Sequence, residues 1–236
     1  RGSEQLRFRP SRGVTFQTAS LMVIGGYFAA PKINPISKEL VGRAVAAVAL
    51  GVTLTPQSAP RFAALMGRGD VIILDKLCHA SLIDGSRLSG ATLRVFPHNN
   101  LERLAHLLRW AQKETGPSGR VMVVTESVFS MDGDRAPLAE IVALKEASGA
   151  LLMVDEAHAF GVMGCQGRGL ADELGVAERV DIQMGTLSKS LGLSGGYLAA
   201  SRQVIGWLIN RARSLVYSTA APPAIAHASL TALALV

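Results

Sequence analysis

Residues 151–155 read LLMVD, four apolar residues followed by an aspartate. A short apolar run of this kind is typical of a strand that is buried on both faces of a parallel sheet. Two similar runs come earlier in the chain, VIILD at 71–75 and VMVVT at 121–125. Between these runs, residues 101–114 repeat apolar side chains at helical spacing, and residues 137–147 form a helical pattern that begins with proline. This alternation predicts an α/β domain with a mainly parallel sheet flanked by helices.

Shorter patterns extend this prediction toward both ends of the repeating region. They give strands at 92–96, 180–184 and 197–200, and helices at 203–213 and 223–236. Before about residue 66 the sequence has scattered prolines and no clean period. We therefore divide the chain into an atypical N-terminal segment, 1–66, and one large domain, 67–236.

Composition excludes several classes of protein. Of the 236 residues, 49% are hydrophobic and 18% are charged, which is the balance of a globular domain. The net charge of +6 is scattered rather than clustered, so we expect no nucleic-acid binding. No apolar run approaches the ~20 residues that a membrane helix needs. The two cysteines, Cys78 and Cys165, lie far apart without metal-ligand spacing, so we expect no metal site and a reducing, cytoplasmic setting.

Parallel sheets bind ligands at the carboxyl ends of their strands, so the polar residues there are the candidates for chemistry. Asp155 ends one predicted strand, and Lys189 follows another in GTLSKSLG, residues 185–192. Taken singly, these residues have ordinary explanations as a capping carboxylate and a solvated lysine. The lysine loop is no Walker phosphate loop, because Ser188 stands where that motif has glycine. A lysine and a strand-end acid together, with small and hydroxyl residues around the lysine, are what pyridoxal 5'-phosphate (PLP) chemistry requires.

Several long stretches resemble the α-oxoamine synthases, which are fold-type I PLP enzymes, and they occur in that family's order. The resemblance implies the fold of their large domain for residues 67–236, and PLP as the cofactor. The matching stretches are GRGDVIILDKLCHASLIDGSRLSGA (67–91), TESVFSMDGDRAPLAEI (125–141), LLMVDEAHAFGVMGCQGRG (151–169), MGTLSKSLGLSGGYLAAS (184–201) and VYSTAAPPA (216–224).

The resemblance also implies roles for individual residues. Lys189 would form the Schiff base with PLP and move protons at the substrate α-carbon, and Asp155 would pair with the pyridinium nitrogen. His79 would stack on the cofactor ring near the substrate. The remaining assignments concern the cofactor's oxygen atoms: Ser130 and His158 on the phenolic oxygen, Thr186 and Ser188 on the phosphate, and Thr219 on the phosphate of a neighbouring subunit in a homodimer.

The reaction implied is acyl transfer from an acyl-thioester to an amino acid, with decarboxylation and release of coenzyme A. L-alanine with a pimeloyl-type thioester is the favoured pair. Glycine with acetyl or succinyl groups, and serine with a long acyl chain, remain open. A PLP-binding fragment or subunit without catalytic competence is the alternative of another class, because residues 1–66 lack the family's N-terminal motifs. The chain also ends about where the family's small C-terminal domain begins, so we expect that domain to be absent.

Overall fold

The computed structural model describes residues 64–212, 216–217 and 222–236. The N-terminal segment up to residue 63 and the predicted phosphate contact Thr219 lie outside these described residues. Within the described residues, six strands form one sheet. They are β1 Val71–Asp75, β2 Thr92–Phe96, β3 Val121–Glu126, β4 Leu151–Asp155, β5 Ile182–Thr186 and β6 Gly196–Ala200.

Helices connect most of the strands. The α-helices whose bounds lie in the described residues are α1 Ala80–Leu88, α2 Leu101–Glu114, α3 Leu138–Ser148, α4 Leu170–Glu173, α5 Arg202–Arg211 and α6 Pro223–Leu233. Among the described residues, none of these helices is long and apolar enough to cross a membrane.

The strand order in the sheet is β2-β1-β3-β4-β5-β6. Strands β1 to β5 pair in parallel, and β6 runs antiparallel to β5. The connection from β2 to β3 passes over β1, so the order reverses between β1 and β3. A crevice at such a reversal point, outside the carboxyl ends of the strands, is where open α/β sheets bind ligands. The predicted mainly parallel α/β fold is confirmed.

Alternate side chains of the central strands pack into two separate apolar layers. Ile73, Val123 and Val154 face a core that includes residues of α2, α3 and α4. Ile72, Met122 and Met153 face the opposite core, which includes residues of α1 and α5. Because the strands bury both faces, they read as continuous apolar runs, and the sheet edge with the carboxyl ends is left to polar residues.

Three elements differ from the prediction. One is the short helix α4, which was not predicted. Helix α1 was not predicted, because its buried residues include Ser81, Gly85 and Ser86 and give no apolar stripe. Strand β5 lies two residues later than the predicted 180–184. The Asp181 carboxylate accepts hydrogen bonds from the Leu152 N–H and from Lys145, each at 2.8 Å, which places Asp181 in the turn before β5.

Candidate active site

Four parallel strands end in polar residues at one edge of the sheet. Asp75, Glu126, Asp155 and Thr186 close β1, β3, β4 and β5, and all four are buried. Glu126 and Asp155 are direct neighbours in the parallel register. A buried carboxylate is costly unless it is paired or hydrogen-bonded, so this edge concentrates negative charge where little water reaches it.

Lys189 lies in the hairpin loop between β5 and β6. Backbone hydrogen bonds close this loop: Leu187 N–H donates to the Gly195 carbonyl at 3.0 Å, and Leu193 N–H donates to the Leu187 carbonyl at 2.9 Å. Gly192 and Gly195 have φ angles of +63° and +119°, conformations that favour glycine. The loop thereby presents Lys189 at the carboxyl edge of the sheet, within electrostatic reach of Asp155 and Glu126.

His158 contacts the lysine directly. Lys189 Nζ lies 2.6 Å from His158 Nε2, a hydrogen-bond distance at which the tautomer of the ring decides which nitrogen donates. Burial lowers the pKa of His158, and the charges of Lys189 and His79 lower it further. Burial also lowers the pKa of Lys189, although Asp155 and Glu126 oppose that effect. A lysine with a lowered pKa has more of the neutral amine that acts as a nucleophile.

Asp155 is 2% exposed at the end of β4. Its Oδ1 accepts a hydrogen bond from the Ala157 N–H at 2.9 Å. Burial raises the pKa of Asp155 to about 6, against the effects of that hydrogen bond and of Lys189. At neutral pH the carboxylate is therefore mostly ionised, and a cationic ligand group placed against it would be stabilised.

His79 begins helix α1 and lies at the same edge. Its Nδ1 accepts a hydrogen bond from the Ser81 N–H at 3.2 Å and lies 2.8 Å from the Ser81 hydroxyl. Its own backbone N–H donates to Glu126 Oε1 at 2.5 Å. His79 is an exposed residue, so it is accessible to a ligand at this edge.

Thr186 and Ser188 form a hydroxyl pair beside the lysine. Their hydroxyl oxygens lie 2.6 Å apart, and the Ser188 N–H donates to Thr186 Oγ1 at 3.1 Å. The buried Thr186 hydroxyl donates to the Gly195 carbonyl at 3.1 Å, whereas Ser188 is exposed. Ser188 is thus the hydroxyl of the pair that faces solvent.

Ser130 is the described candidate that stands apart from the others. It is exposed in the turn between β3 and α3. Within the described residues, no hydrogen bond joins it to Lys189, Asp155 or His79. Its assignment to the phenolic oxygen of the cofactor stays a prediction, as do the roles assigned to the other site residues.

Sequence reasoning gave Glu126 no role, yet the structure places it between His79 and Asp155. It is 3% exposed, and burial together with the charge of Asp155 raises its pKa to about 7. The signal that could have found it was its position, since it ends a buried strand in the same way as Asp155.

The donor set fits PLP. That cofactor presents an aldehyde, a basic ring nitrogen and a phosphate, which call for an amine, a carboxylate and hydroxyl or N–H donors. Lys189, Asp155 and the Thr186–Ser188 pair are these groups, and they lie at one edge of the sheet. Among the described residues, no group of three His, Cys, Asp or Glu side chains could hold a metal ion.

The fold and this site define a family of cofactor-dependent enzymes. The model of the family named Aminotransferase class I and II matches residues 44–234, which includes the last part of the segment 1–66. The chain belongs to this family.

Individual relatives narrow the likeness to α-oxoamine synthases. The chain is 53% identical over 173 residues to the 8-amino-7-oxononanoate synthase of Geotalea daltonii, which is 73% of this chain and 43% of that protein. It is similar to the solved serine palmitoyltransferase of Sphingomonas wittichii, with a TM-score of 0.71, 35% identity and coverage of 80% of this chain and 46% of the other. A serine palmitoyltransferase from S. paucimobilis with a bound PLP–myriocin aldimine gives a TM-score of 0.70 at 32% identity, covering 79% and 48%. The chain thus spans less than half the length of these three relatives.

Proposed function

We propose that this chain is the PLP-binding part of an 8-amino-7-oxononanoate synthase, an acyltransferase of biotin biosynthesis. The net reaction joins L-alanine to a pimeloyl-type thioester and releases carbon dioxide and coenzyme A. One arrangement at the carboxyl ends of the strands carries the proposal. Lys189 Nζ lies 2.6 Å from His158 Nε2, and the buried Asp155 acts on Lys189 electrostatically. The 53% identity to a named 8-amino-7-oxononanoate synthase supports the choice of reaction.

When bound, PLP supplies a conjugated ring that takes up the electron pair left by a bond broken at the amino-acid α-carbon. Lys189 would hold the cofactor covalently and, once released by the incoming amino acid, accept the proton from the α-carbon. The His158 ring lies within hydrogen-bond distance of the lysine amine and so positions that amine at the carboxyl edge of the sheet. Asp155 would hold a proton on the ring nitrogen by charge, because its carboxylate is mostly ionised at neutral pH.

The other predicted contacts complete the binding of PLP in this proposal. His79 would lie against the ring, and Ser188 and Thr186 would hold the phosphate. Ser130 and His158 would hold the phenolic oxygen. Thr219 would reach the phosphate of a second copy of the chain in a homodimer. The division into segment 1–66 and domain 67–236 and a cytoplasmic location are part of the same proposal.

Borohydride trapping tests the cofactor assignment. The purified chain is incubated with PLP, reduced with borohydride and digested, and the peptides are mapped by mass spectrometry. We expect the reduced adduct on Lys189, and no adduct there in Lys189→Ala. Lys76→Ala is the matched control, because Lys76 is another exposed lysine at the same edge of the sheet, immediately after β1. An adduct on another lysine of the unmodified chain would remove the assignment.

A substrate panel tests the reaction. Release of coenzyme A is measured with L-alanine, glycine and L-serine, each against pimeloyl, acetyl, succinyl and palmitoyl thioesters. We expect the fastest release with L-alanine and the pimeloyl thioester. Serine with the palmitoyl thioester is the second candidate, because the solved structures cited above are serine palmitoyltransferases. PLP trapped on Lys189 without release from any pair would favour the catalytically incompetent alternative.

A further inference from the structure

The contact between Glu126 and His79 spans the reversal point of the sheet. Glu126 is the last residue of β3, and His79 follows β1, the strand beside it. The His79 N–H donates to Glu126 Oε1 at 2.5 Å, between residues that are 47 apart in the chain. When the Glu126 carboxylate is ionised, this hydrogen bond belongs to the strong, charge-assisted class.

This contact and one other fix the orientation of His79. The residue is the N-cap of α1, and its ring nitrogen Nδ1 accepts from the Ser81 N–H at 3.2 Å. The ring is thereby tied to the first turn of the helix, and the backbone is tied to the end of β3. In the same connection, Leu77 N–H and Cys78 N–H donate to Asp75 at 2.9 and 3.2 Å, Lys76 N–H donates to the Phe96 carbonyl at 3.0 Å, and Cys78 Sγ lies 3.7 Å from the Val124 carbonyl of β3. Within the described residues, the bond to Glu126 is the one that joins His79 itself to β3.

Three charged groups on three different elements act on Glu126. Asp75 on β1, Asp155 on β4, and Lys189 in the β5–β6 loop all act on its carboxylate electrostatically. Cys78, in the connection before α1, is buried and senses the charge of Glu126 in turn. Two carboxylates therefore oppose the ionised form of Glu126, while Lys189 and the His79 N–H favour it.

We propose that Glu126 is a positioning residue that holds His79 against the cofactor site through the backbone N–H of His79. The role of His79 toward the ring rests on the proposed function, but the hydrogen bond itself does not. Glu126 touches no reacting atom in this assignment. Because Glu126 acts through His79, replacing Glu126 should affect the site only by changing the position of His79.

The first test needs no cofactor. The whole 236-residue chain is labelled with ¹⁵N-histidine, which gives one amide signal for each of its five histidines. We expect the His79 amide signal to shift with pH around a midpoint near 7, the value to which burial raises the pKa of Glu126. In Glu126→Gln, whose side-chain oxygen still accepts the N–H, the signal should keep its hydrogen-bonded position and lose that transition. Glu140→Gln, at an exposed glutamate on α3, is the matched control and should keep it. A His79 amide that is indifferent to both pH and Glu126→Gln would overturn the proposal.

The second test uses PLP affinity. We expect Glu126→Ala to weaken PLP binding about tenfold, and Glu126→Gln to restore most of that loss. The double variant Glu126→Ala/His79→Ala should bind no more weakly than His79→Ala alone, because both changes remove one function. Additive losses would overturn the proposal. If the unmodified chain binds no PLP, the proposed function fails, and the amide titration still decides the role of Glu126 by itself. Should Glu126→Ala fail to fold, judged by far-UV circular dichroism, Glu126→Gln and the titration carry the decision.

Discussion

Both edges of the sheet carry buried carboxylates, but the carboxylates at the amino edge are paired with cations, whereas those at the carboxyl edge have raised pKa values. At the amino edge, Asp70 binds Arg120 at 2.8 Å and Asp181 binds Lys145 at 2.8 Å, and each carboxylate also accepts backbone N–H groups. At the carboxyl edge, the neighbouring Glu126 and Asp155 share the influence of one lysine, and burial raises the pKa of both. The first edge satisfies its charges within the fold, whereas the second holds charge that a ligand could still neutralise.

The largest effect should follow from breaking a pair at the amino edge. Asp181→Ala leaves Lys145, whose side chain is 9% exposed, as an unpaired buried cation and removes the acceptor of the Leu152 N–H. We expect the free energy of unfolding to fall by about 3 kcal/mol. Urea denaturation followed by far-UV circular dichroism measures it. Asp181→Asn keeps an acceptor for the N–H and should lose less, and equal losses in both variants would mean that the charge contributes nothing.

At the carboxyl edge, replacing a carboxylate by a neutral side chain should raise the free energy of unfolding instead of lowering it. Without cofactor, Asp155→Asn should raise the free energy of unfolding at pH 8 by up to about 3 kcal/mol, at 1.36 kcal/mol for each unit by which the folded pKa exceeds the unfolded one. Burial raises the folded pKa of Asp155 from 3.8 to about 6. The destabilisation by ionised Asp155 is therefore complete above pH 6, declines as the pH falls, and is absent below about pH 4. A variant that is less stable than the unmodified chain at pH 8 would contradict this account of the edge.

Asp75 also lies at the carboxyl edge, but unlike Glu126 and Asp155 it is paired with a side chain of the fold, that of His98. His98 Nδ1 lies 3.0 Å from Asp75 Oδ1, and His98 Nε2 lies 2.7 Å from Asp134 Oδ2. Burial lowers the pKa of His98, but the hydrogen bonds and charges of the two aspartates outweigh it and raise the pKa above 6.5. We expect His98→Ala to lower the free energy of unfolding by about 1.5 kcal/mol at pH 6. The electrostatic part of that difference should shrink as the pH rises through the folded pKa of His98. A loss that is constant from pH 6 to pH 9 would show that only the packing of the ring matters.

The smallest effect should come from a pair that lies on the surface. Arg179 donates to both carboxylate oxygens of Glu146, but both side chains are more than 40% exposed. We expect Arg179→Ala to change the free energy of unfolding by about 0.5 kcal/mol or less. Repeating the urea titration in 1 M NaCl should remove that difference. A loss comparable to that of Asp181→Ala would show that pairing itself, rather than burial, separates the two edges.

The sequence predicted the strands well because burial on both faces leaves an unbroken apolar run. The runs 71–75 and 151–155 match β1 and β4 in both bounds. The range predicted for β5 was two residues too early. Its last residues, Gly185 and Thr186, pair with Tyr197 and Gly196 across a hairpin, and this backbone pairing needs no apolar side chains. Helix α1 escaped notice because serine and glycine fill its buried face.

The sequence indicated which residues to consider at the carboxyl edge, but it did not indicate the long-range hydrogen bonds between them. The rule that ligands bind at the carboxyl ends of strands led to Lys189 and Asp155 before any coordinates. The bond between Glu126 and His79 joins a side chain to a backbone N–H across 47 residues, and no local pattern encodes such a contact. The pairing of Asp70 with Arg120 spans 50 residues and was missed for the same reason.

The antiparallel hairpin also sets the order in which the site can be assembled. A ribosome makes the amino-terminal part of a chain first, so His79, Glu126 and Asp155 leave it before the loop with Lys189. That loop closes over a short stretch of sequence and loses little entropy when it forms, whereas the parallel pairing of β1 with β3 needs a long crossover. A nascent chain that ends before Gly196 therefore has the carboxylates at its sheet edge but lacks the strand that pairs with β5 and closes the lysine loop. The loop that carries the lysine gains its full set of hydrogen bonds only after β6 has been made and has paired with β5.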